Sequence, residues 1–154
     1  MSQTPEEIAL ERIRQAAESG AESLDLSHLD LTTLPPEIGQ LTRLPELSLS
    51  RNQLTNLPPE ITQLSSLTEL SFSSNKLMSL PLEICGLIRL KKIDLFGNQL
   101  TILPPEIGGL VSLTHLNLTG NQLKNLPPEI GQLTSLQELD LRFNQLTNLP
   151  PEIG

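Results

Sequence analysis

The last ten residues, "QLTNLPPEIG" at 145–154, repeat a phrase that the chain has already used, because "QLTNLPPEI" also occupies 53–61. Its core "LPPEI" begins again at 34, 103 and 126, and a variant, "LPLEI", begins at 80. A weak first unit starts at Ala21. Five full or nearly full units follow at a spacing of 23 residues, starting at Leu44, Leu67, Leu90, Leu113 and Leu136. A fixed period of this length indicates a solenoid of stacked coils.

Each segment of the shared pattern LxxLxLxxNxLxxLPxEIxxLxx predicts a local structure. In LxxLxL the later leucines alternate with polar residues at a period of two, which predicts one short strand per coil with one buried face. Prolines lack the N–H that a central strand needs but suit the first turn of a helix, so "PPEI" predicts a short helical turn. The recurring asparagine can donate to and accept from backbone groups of the next coil, which predicts a buried ladder of Asn52, Asn75, Asn98, Asn121 and Asn144.

This pattern resembles the leucine-rich repeat, and its "LPPEIGQL" half is similar to the 23-residue class of intracellular Ras-group repeat proteins and bacterial Roco proteins. The resemblance covers residues 21–154. It implies an α/β repeat fold, a right-handed leucine-rich-repeat solenoid with a parallel concave sheet of about six strands and short helical turns on the convex side. It also implies that ligands bind against the strand face, and that a GTP-binding module follows the repeats in Roco proteins. The 154 residues contain no GxxxxGK[ST] motif, so we assign them no GTPase activity.

Residues 1–20 predict an N-terminal capping helix. Thr4 is a suitable N-cap, with Pro5 after it and Glu7 three residues on, and Gly20 is a suitable stop, so the helix is expected over 5–19. We expect its apolar face to cover the first coil. In that coil Leu29 replaces the ladder asparagine, which suits the start of a ladder beneath an apolar helix. The residues predicted to share that helical face are Leu10, Ile13, Ala16 and Ala17.

The repeats of 21–154 end in unmodified consensus, and the final repeat is cut short at Gly154. Repeat arrays need a terminal cap with a polar outer face, so we expect the chain to be a fragment of a longer protein. An uncapped end would expose leucines and an unpaired strand edge. End-to-end self-association through that end is therefore the alternative to a role in ligand binding.

Composition narrows the classes of partner. The formal net charge is −8, and residues 1–75 hold eleven acidic against four basic side chains, which argues against nucleic acid and anionic membranes. Aromatic residues make up 2% of the chain, too few for a base-stacking platform. The start "MSQTPEEIAL" has no basic region followed by an apolar run. The only cysteine, Cys85, cannot form an internal disulfide, so the predicted location is the cytoplasm.

Repeat spacing places the candidate catalytic groups too far apart for shared chemistry. His28 and His115 lie in the first and fifth coils, about 19 Å apart by strand spacing, so they cannot share a metal ion. Asp94 and Asp140 are about 10 Å apart, beyond the usual glycosidase spacings. Cys85 has no histidine at the equivalent site of a neighbouring coil and is interpreted as a tolerated substitution. We therefore predict no catalytic site, metal or cofactor.

The variable positions of the unit, namely the second, third, fifth, seventh and eighth, predict a surface that binds a protein partner. Phe96 and Phe143 are the exposed aromatic candidates, and aromatic and arginine side chains often anchor interfaces. Phe143 could instead pack against a seventh coil. An acidic stretch in the early coils could meet a basic partner or simply solubilise the chain; it comprises Glu22, Asp25, Glu46 and Glu69.

From these positions the sequence predicts a non-enzymatic protein-recognition module. Its predicted binding residues on the concave face are Arg51, Lys91, Lys92, Asp94, Phe96, His115, Asn117, Asp140, Arg142 and Phe143. The second alternative is an enzyme or enzyme-regulatory arm whose chemistry lies beyond residue 154.

Overall fold

The chain forms six stacked coils, and each coil contributes one three-residue strand to a single parallel sheet. The computed structural model describes all residues from 1 to 154 and places the strands across the sheet in sequence order. They are β1 Ser23–Asp25, β2 Glu46–Ser48, β3 Glu69–Ser71, β4 Lys92–Asp94, β5 His115–Asn117 and β6 Glu138–Asp140. Each residue pairs with the residue 23 positions later, as Leu47 does with Leu70. The period of the sequence is therefore the register of the sheet.

A short 3-10 turn follows each strand on the convex side, as predicted from "PPEI". Proline begins five of the six turns, where its missing N–H leaves no intrahelical bond unmade. In the first turn Ile38 is fully buried, and Leu41 directly after it is 5% exposed, so both face the core. The turns are Pro36–Gln40, Pro59–Gln63, Leu82–Gly86, Pro105–Gly109, Pro128–Gln132 and Pro151–Ile153.

One hydrophobic core of 38 buried residues runs the length of the stack, since no single coil can bury its own leucines. Phe72 is the largest side chain that is fully buried, and it stands where the second coil has Leu49 and the fourth has Leu95. In the last coil five apolar residues are only partly buried against this core, and Phe143 and Leu149 are exposed. Burial therefore decreases from the central coils towards the sixth.

The repeated asparagines lie between the coils and satisfy backbone groups that would otherwise be unpaired. Asn98 is 5% exposed; its amide nitrogen donates to the carbonyl oxygens of Phe72 at 2.9 Å and Leu95 at 3.1 Å. Its amide oxygen accepts from the N–H of Leu77 at 3.1 Å. Equivalent bonds are made by Asn52, Asn75 and Asn121, and by Asn144 in the last coil, which is half-buried.

The N-terminal helix α1 spans Pro5–Ser19. The hydroxyl of Thr4 accepts from the N–H of Glu7 at 3.1 Å, and the Glu7 carboxylate accepts from the N–H of Thr4 at 2.9 Å. Gly20 ends the helix in the left-handed region at φ 63°, and its N–H donates to the carbonyl of Ala16. Capping box and glycine stop therefore fix both ends as the sequence predicts.

The buried face of α1 differs from the predicted one. Ala9, Ile13 and Ala16 are buried, whereas Leu10 is half-buried and Ala17 is exposed. A line of residues at i, i+4 and i+7 with alanine at both ends lets the helix approach the first coil closely, which a line through Leu10 would not. Ile13 and Ala16 belong to both faces, so the buried face is rotated from the predicted one by about half of the roughly 100° that one residue turns.

Glycine sets the distance between neighbouring turns on the convex side. A Cβ atom added at Gly108 would overlap the Gln132 amide and lie 2.9 Å from the carbonyl oxygen of Glu129 in the next coil. The equivalent positions in the second and third coils hold Thr62 and Cys85. Since those residues already carry a Cβ, the turns must stand further apart there.

We expect Gly108→Ala to lower the free energy of unfolding by about 2 kcal/mol, because the backbone of the next turn must move to admit the methyl group. Gly109→Ala is the matched control: its Cβ would meet only the Cys85 carbonyl oxygen at 3.5 Å, an ordinary contact. Urea unfolding of both variants, followed by far-UV circular dichroism, measures the difference. Equal stability of the two would contradict close packing at Gly108.

Candidate functional site

A shallow trough of about 540 Å³ crosses all six strands on the concave side of the sheet. The fourth position of each unit, such as Leu47, points into the core, so the third and fifth positions face the trough. The third positions are Ser23, Glu46, Glu69, Lys92, His115 and Glu138. The fifth positions are Asp25, Ser48, Ser71, Asp94, Asn117 and Asp140.

The ten residues predicted to bind a partner divide into two groups. Five of them line the trough: Lys92, Asp94, His115, Asn117 and Asp140. The other five stand at the second, seventh and eighth positions and do not line it: Arg51, Lys91, Phe96, Arg142 and Phe143.

The eighth position of every unit is a left-handed turn, which the sequence interpretation missed. Its φ angles lie between 55° and 71° in all six coils, and glycine occupies the position in two of them. Arg51 and Phe143 therefore occupy a conformation that costs a side-chain-bearing residue about 1–2 kcal/mol. The recurrence of Gly97 and Gly120 in one column was the available signal for this turn.

Backbone hydrogen bonds hold the side chains at the fifth position. The carboxylates of Asp25, Asp94 and Asp140 each accept from the N–H two residues later, at 2.8, 3.0 and 3.1 Å. Asn117 accepts the equivalent bond at 3.0 Å through its amide oxygen. These residues therefore present fixed oxygen atoms to the sheet face.

Two of these carboxyl groups have a lowered pKa. Hydrogen bonds from the hydroxyl and N–H of Ser27 lower the pKa of Asp25. The side-chain and backbone donors of Arg142 hold the pKa of Asp140 well below its usual range. Both groups are therefore ionised at neutral pH.

Two cations in or beside the trough, Lys92 and Arg142, are paired with carboxylates of the same molecule. Lys92 Nζ lies 3.5 Å from Glu69 Oε1 on the neighbouring strand, and both side chains are about half exposed. Arg142 lies against Asp140, with its Nη2 atom 2.6 Å from Oδ2. Neither of these two charges is therefore presented without a neutralising neighbour, whereas Arg51 and Lys91 beside the trough make no ion pair.

His115 is held in a defined orientation. The hydroxyl of Thr114 donates its only proton to the carbonyl oxygen of Lys91 at 2.9 Å, so its oxygen accepts from Nδ1–H of His115 at 2.8 Å. The other ring nitrogen, Nε2, lies 3.6 Å from Glu138 Oε2. A proton added at Nε2 would therefore face a carboxylate.

Phe96 lies beside the trough, just after β4. A Cβ atom added at Gly120 would stand 3.6 Å from Phe96 Cε2, so the edge of the ring rests over this glycine of the next coil. The Phe96 side chain is nevertheless 45% exposed, whereas Phe143 in the last coil is 80% exposed. The ring of Phe96 is thus held against the next coil while nearly half of its surface stays accessible to a partner.

The candidate catalytic groups are separated in the structure. Asp94 and Asp140 lie on β4 and β6, with Asn117 of β5 between them. Cys85 is 8% exposed, and desolvation together with the charges of Glu106 and Glu83 raises the pKa of its thiol to about 11. No group of three or more histidine, cysteine, aspartate or glutamate side chains is placed to hold a metal ion. No helix is long and apolar enough to cross a membrane.

Repeat models match most of the chain. A model described as leucine rich repeat matches residues 19–77 and 42–100, and one described as leucine rich repeats in two copies matches 88–128 and 111–152. The chain belongs to the leucine-rich repeat family. No curated protein matches its sequence significantly.

Several solved leucine-rich repeat structures are similar to the chain. A protein of Leptospira interrogans is 38% identical with a TM-score of 0.71, over 99% of this chain and 44% of that one. The repeat domain of the type III effector XopL is 27% identical with a TM-score of 0.84, over 95% of this chain and 52% of that one. YopM from Yersinia enterocolitica is 34% identical with a TM-score of 0.75, over 97% of this chain and 31% of that one. The chain thus spans about half or less of the length of each.

A fourth similar structure is the plant peptide hormone receptor RGFR1 in complex with RGF2. It is 31% identical with a TM-score of 0.64, over 74% of this chain and 19% of the receptor. Leucine-rich repeat domains generally mediate protein–protein interaction and are generally not enzymes. The family therefore favours recognition over catalysis for this chain.

Proposed function

We propose that this leucine-rich repeat chain is a non-enzymatic recognition module that binds a segment of a protein partner in its concave trough. The observation that supports this most is the trough itself, which crosses all six strands and is lined by polar side chains in two regular columns. The backbone beneath these side chains is fixed by the sheet and the asparagine ladder. Binding therefore costs little ordering entropy on this side of the interface.

The side chains proposed to bind the partner have different roles. Lys92 and Asn117 lie in the trough, where they can donate hydrogen bonds to a partner backbone, and Nε2 of His115 can accept one. Asp94 and Asp140 offer fixed acceptors. Beside the trough, the other proposed contacts are Phe96, Arg142, Lys91, Arg51 and Phe143.

The wider setting is also a proposal. The 23-residue period and the phrase "LPPEIGQL" support a place among the Ras-group and bacterial Roco repeat proteins, as the repeat part of a larger cytoplasmic protein. The bacterial sources of two similar structures agree with a bacterial origin. Reading the coding sequence beyond codon 154 tests this setting, since a Roco protein encodes a GxxxxGK[ST] motif after its repeats.

A display library of random twelve-residue peptides tests the binding site. We expect peptides selected on the wild-type chain to bind at least about tenfold more weakly when side chains in and beside the trough are removed, a loss of about 1.4 kcal/mol or more. Serine is the replacement because it already occupies these columns in other coils. The trough variant carries Phe96→Ser, His115→Ser and Asn117→Ser.

The matched control removes three exposed apolar side chains of the third and fourth coils that do not line the trough. Ile88, Ile102 and Val111 are 52% to 63% exposed, and equivalent positions elsewhere hold serine, threonine or asparagine. We expect the control carrying Ile88→Ser, Ile102→Ser and Val111→Ser to bind the selected peptides within about twofold of wild type. Peptides lost from the control but kept by the trough variant would place binding on the convex side instead.

A further inference from the structure

The charges that line the trough are strongly unbalanced. Along its whole length the trough is lined by only one ammonium group, from Lys92, and one imidazole, from His115. The carboxylates that line it number six: Asp25, Glu46, Glu69, Asp94, Glu138 and Asp140. Low-dielectric walls of one sign of charge focus the electrostatic field in a cleft. The sheet face therefore attracts positively charged groups.

The two nitrogen groups in the trough do not offset this imbalance for a partner, because carboxylates on neighbouring strands already face them. Lys92 is paired with Glu69, and Nε2 of His115 faces Glu138. An acidic partner segment would have to separate Lys92 from Glu69 and then approach the remaining carboxylates. A basic segment meets no such obstacle, since every unpaired charge in the trough is negative.

Several carboxylates are already positioned to accept hydrogen bonds from a partner. Oδ1 of Asp94 accepts from the N–H of Phe96, and Oδ1 of Asp25 accepts from Ser27, while the second oxygen of each makes no hydrogen bond. Glu46 makes no ion pair and is exposed. These groups can therefore receive cations without giving up a contact within the chain.

An aromatic surface stands next to these carboxylates. Phe96 follows Asp94 by two residues, and its ring is supported from below by Gly120 with nearly half of its surface exposed. An arginine guanidinium can stack on such a ring while it bonds a carboxylate nearby. Lysine would use the carboxylates alone, as a point charge.

We infer that the partner segment is an extended stretch of protein rich in arginine and lysine. This inference rests on the proposed function, since it specifies the occupant of the same trough. Five strand spacings of about 4.8 Å give a length of about 24 Å, which matches about seven extended residues. Phe96 favours arginine over lysine for the residue that lies across β4 and β5.

Two labelled twelve-residue peptides test the sign of the charge: one alternates arginine with serine, and the other alternates glutamate with serine. We expect the arginine peptide to bind at least about tenfold more tightly than the glutamate peptide. Its affinity should fall about tenfold between about 0.05 M and about 0.5 M NaCl, because exposed ion pairs are screened. Fluorescence polarisation measures both.

Charge-neutral variants locate the binding. Asp94→Asn keeps the acceptor for the N–H of Phe96, as Asn117 shows one coil later, and Glu46→Gln keeps the size of the side chain. We expect the double variant to bind the arginine peptide about fivefold more weakly. The control removes two exposed carboxylates away from the trough, Glu18→Gln and Glu106→Gln. It should change affinity less than about twofold.

The outcomes separate this inference from the proposed function. An equal loss in the control would mean that the peptide responds to net charge alone, which overturns the inference. Library peptides that need the trough but are neutral or acidic would also overturn it and leave the proposed function standing. If the library peptides bound the trough variant as tightly as the wild type, both the inference and the proposed function would be overturned.

Discussion

Replacing Asn98 with alanine is expected to lower the free energy of unfolding by about 4 kcal/mol, one of the two largest effects of any single substitution in this chain. The change removes the partner of the Leu77 N–H and the donor to the carbonyl oxygens of Phe72 and Leu95. All of these groups lie in the interior between the third and fourth coils. A buried polar group without a partner costs about 1–3 kcal/mol.

Urea unfolding followed by far-UV circular dichroism measures this loss, because the chain has no tryptophan or tyrosine to report by fluorescence. The matched control is Asn144→Ala in the last coil, where the asparagine makes the same bonds but is half-buried. Water can replace part of what that substitution removes, so we expect a loss of about 2 kcal/mol or less. Equal losses for the two variants would mean that burial does not set the strength of the ladder.

The fold was predictable because each part of the repeat has a local physical reason that does not depend on the rest of the chain. Alternating leucines predict a strand, Pro-Pro-Glu-Ile predicts a helical turn, and a fixed period predicts the register. Leu47 pairs with Leu70 because the two residues are one period, 23 residues, apart. The rotation of α1 about its axis was not predictable, because it depends on how Ala9 and Ile13 dock against the first coil.

The register also predicts which side chains stand side by side in the trough. The pairing of their charges was not predicted. Glu69 and Lys92 are 23 residues apart, as are His115 and Glu138, so the period places each pair side by side. Lys92 and His115 were predicted as free contacts for a partner, although this spacing was the available signal for their pairing. The contact of Arg142 with Asp140 depends on the rotamer of a long side chain, which no repeat pattern specifies.

Replacing Phe72 with alanine is the other change with a large expected effect, a loss of about 4 kcal/mol in the free energy of unfolding. Phe72 is fully buried at the centre of the stack, and the positions facing it in the second and fourth coils hold leucines. None of those neighbours can fill the volume of a phenyl ring without leaving its own place. The loss is therefore the transfer free energy of the ring plus the free energy of the cavity left behind.

Two controls separate these terms, using the same urea titrations. Phe96→Ala removes the same ring from a surface position, so we expect a loss below about 1 kcal/mol. Phe72→Leu restores the residue that the other five coils hold, and we expect a loss of about 1 kcal/mol. If Phe72→Ala cost no more than Phe72→Leu, the third coil would have collapsed around the alanine, and Phe72 would not be the anchor of the central coils.

The effects of Phe72 and Asn98 are also expected to be coupled. The amide of Asn98 donates to the carbonyl oxygen of Phe72, and the N–H of Phe72 donates to the carbonyl of Asp94 on β4 at 2.8 Å. A cavity at Phe72 lets this stretch of backbone shift, which weakens the Asn98 bond before the asparagine is removed. We therefore expect the double variant to lose at least about 1 kcal/mol less than the sum of the single losses. Strict additivity would show that core packing and the ladder stabilise the stack independently.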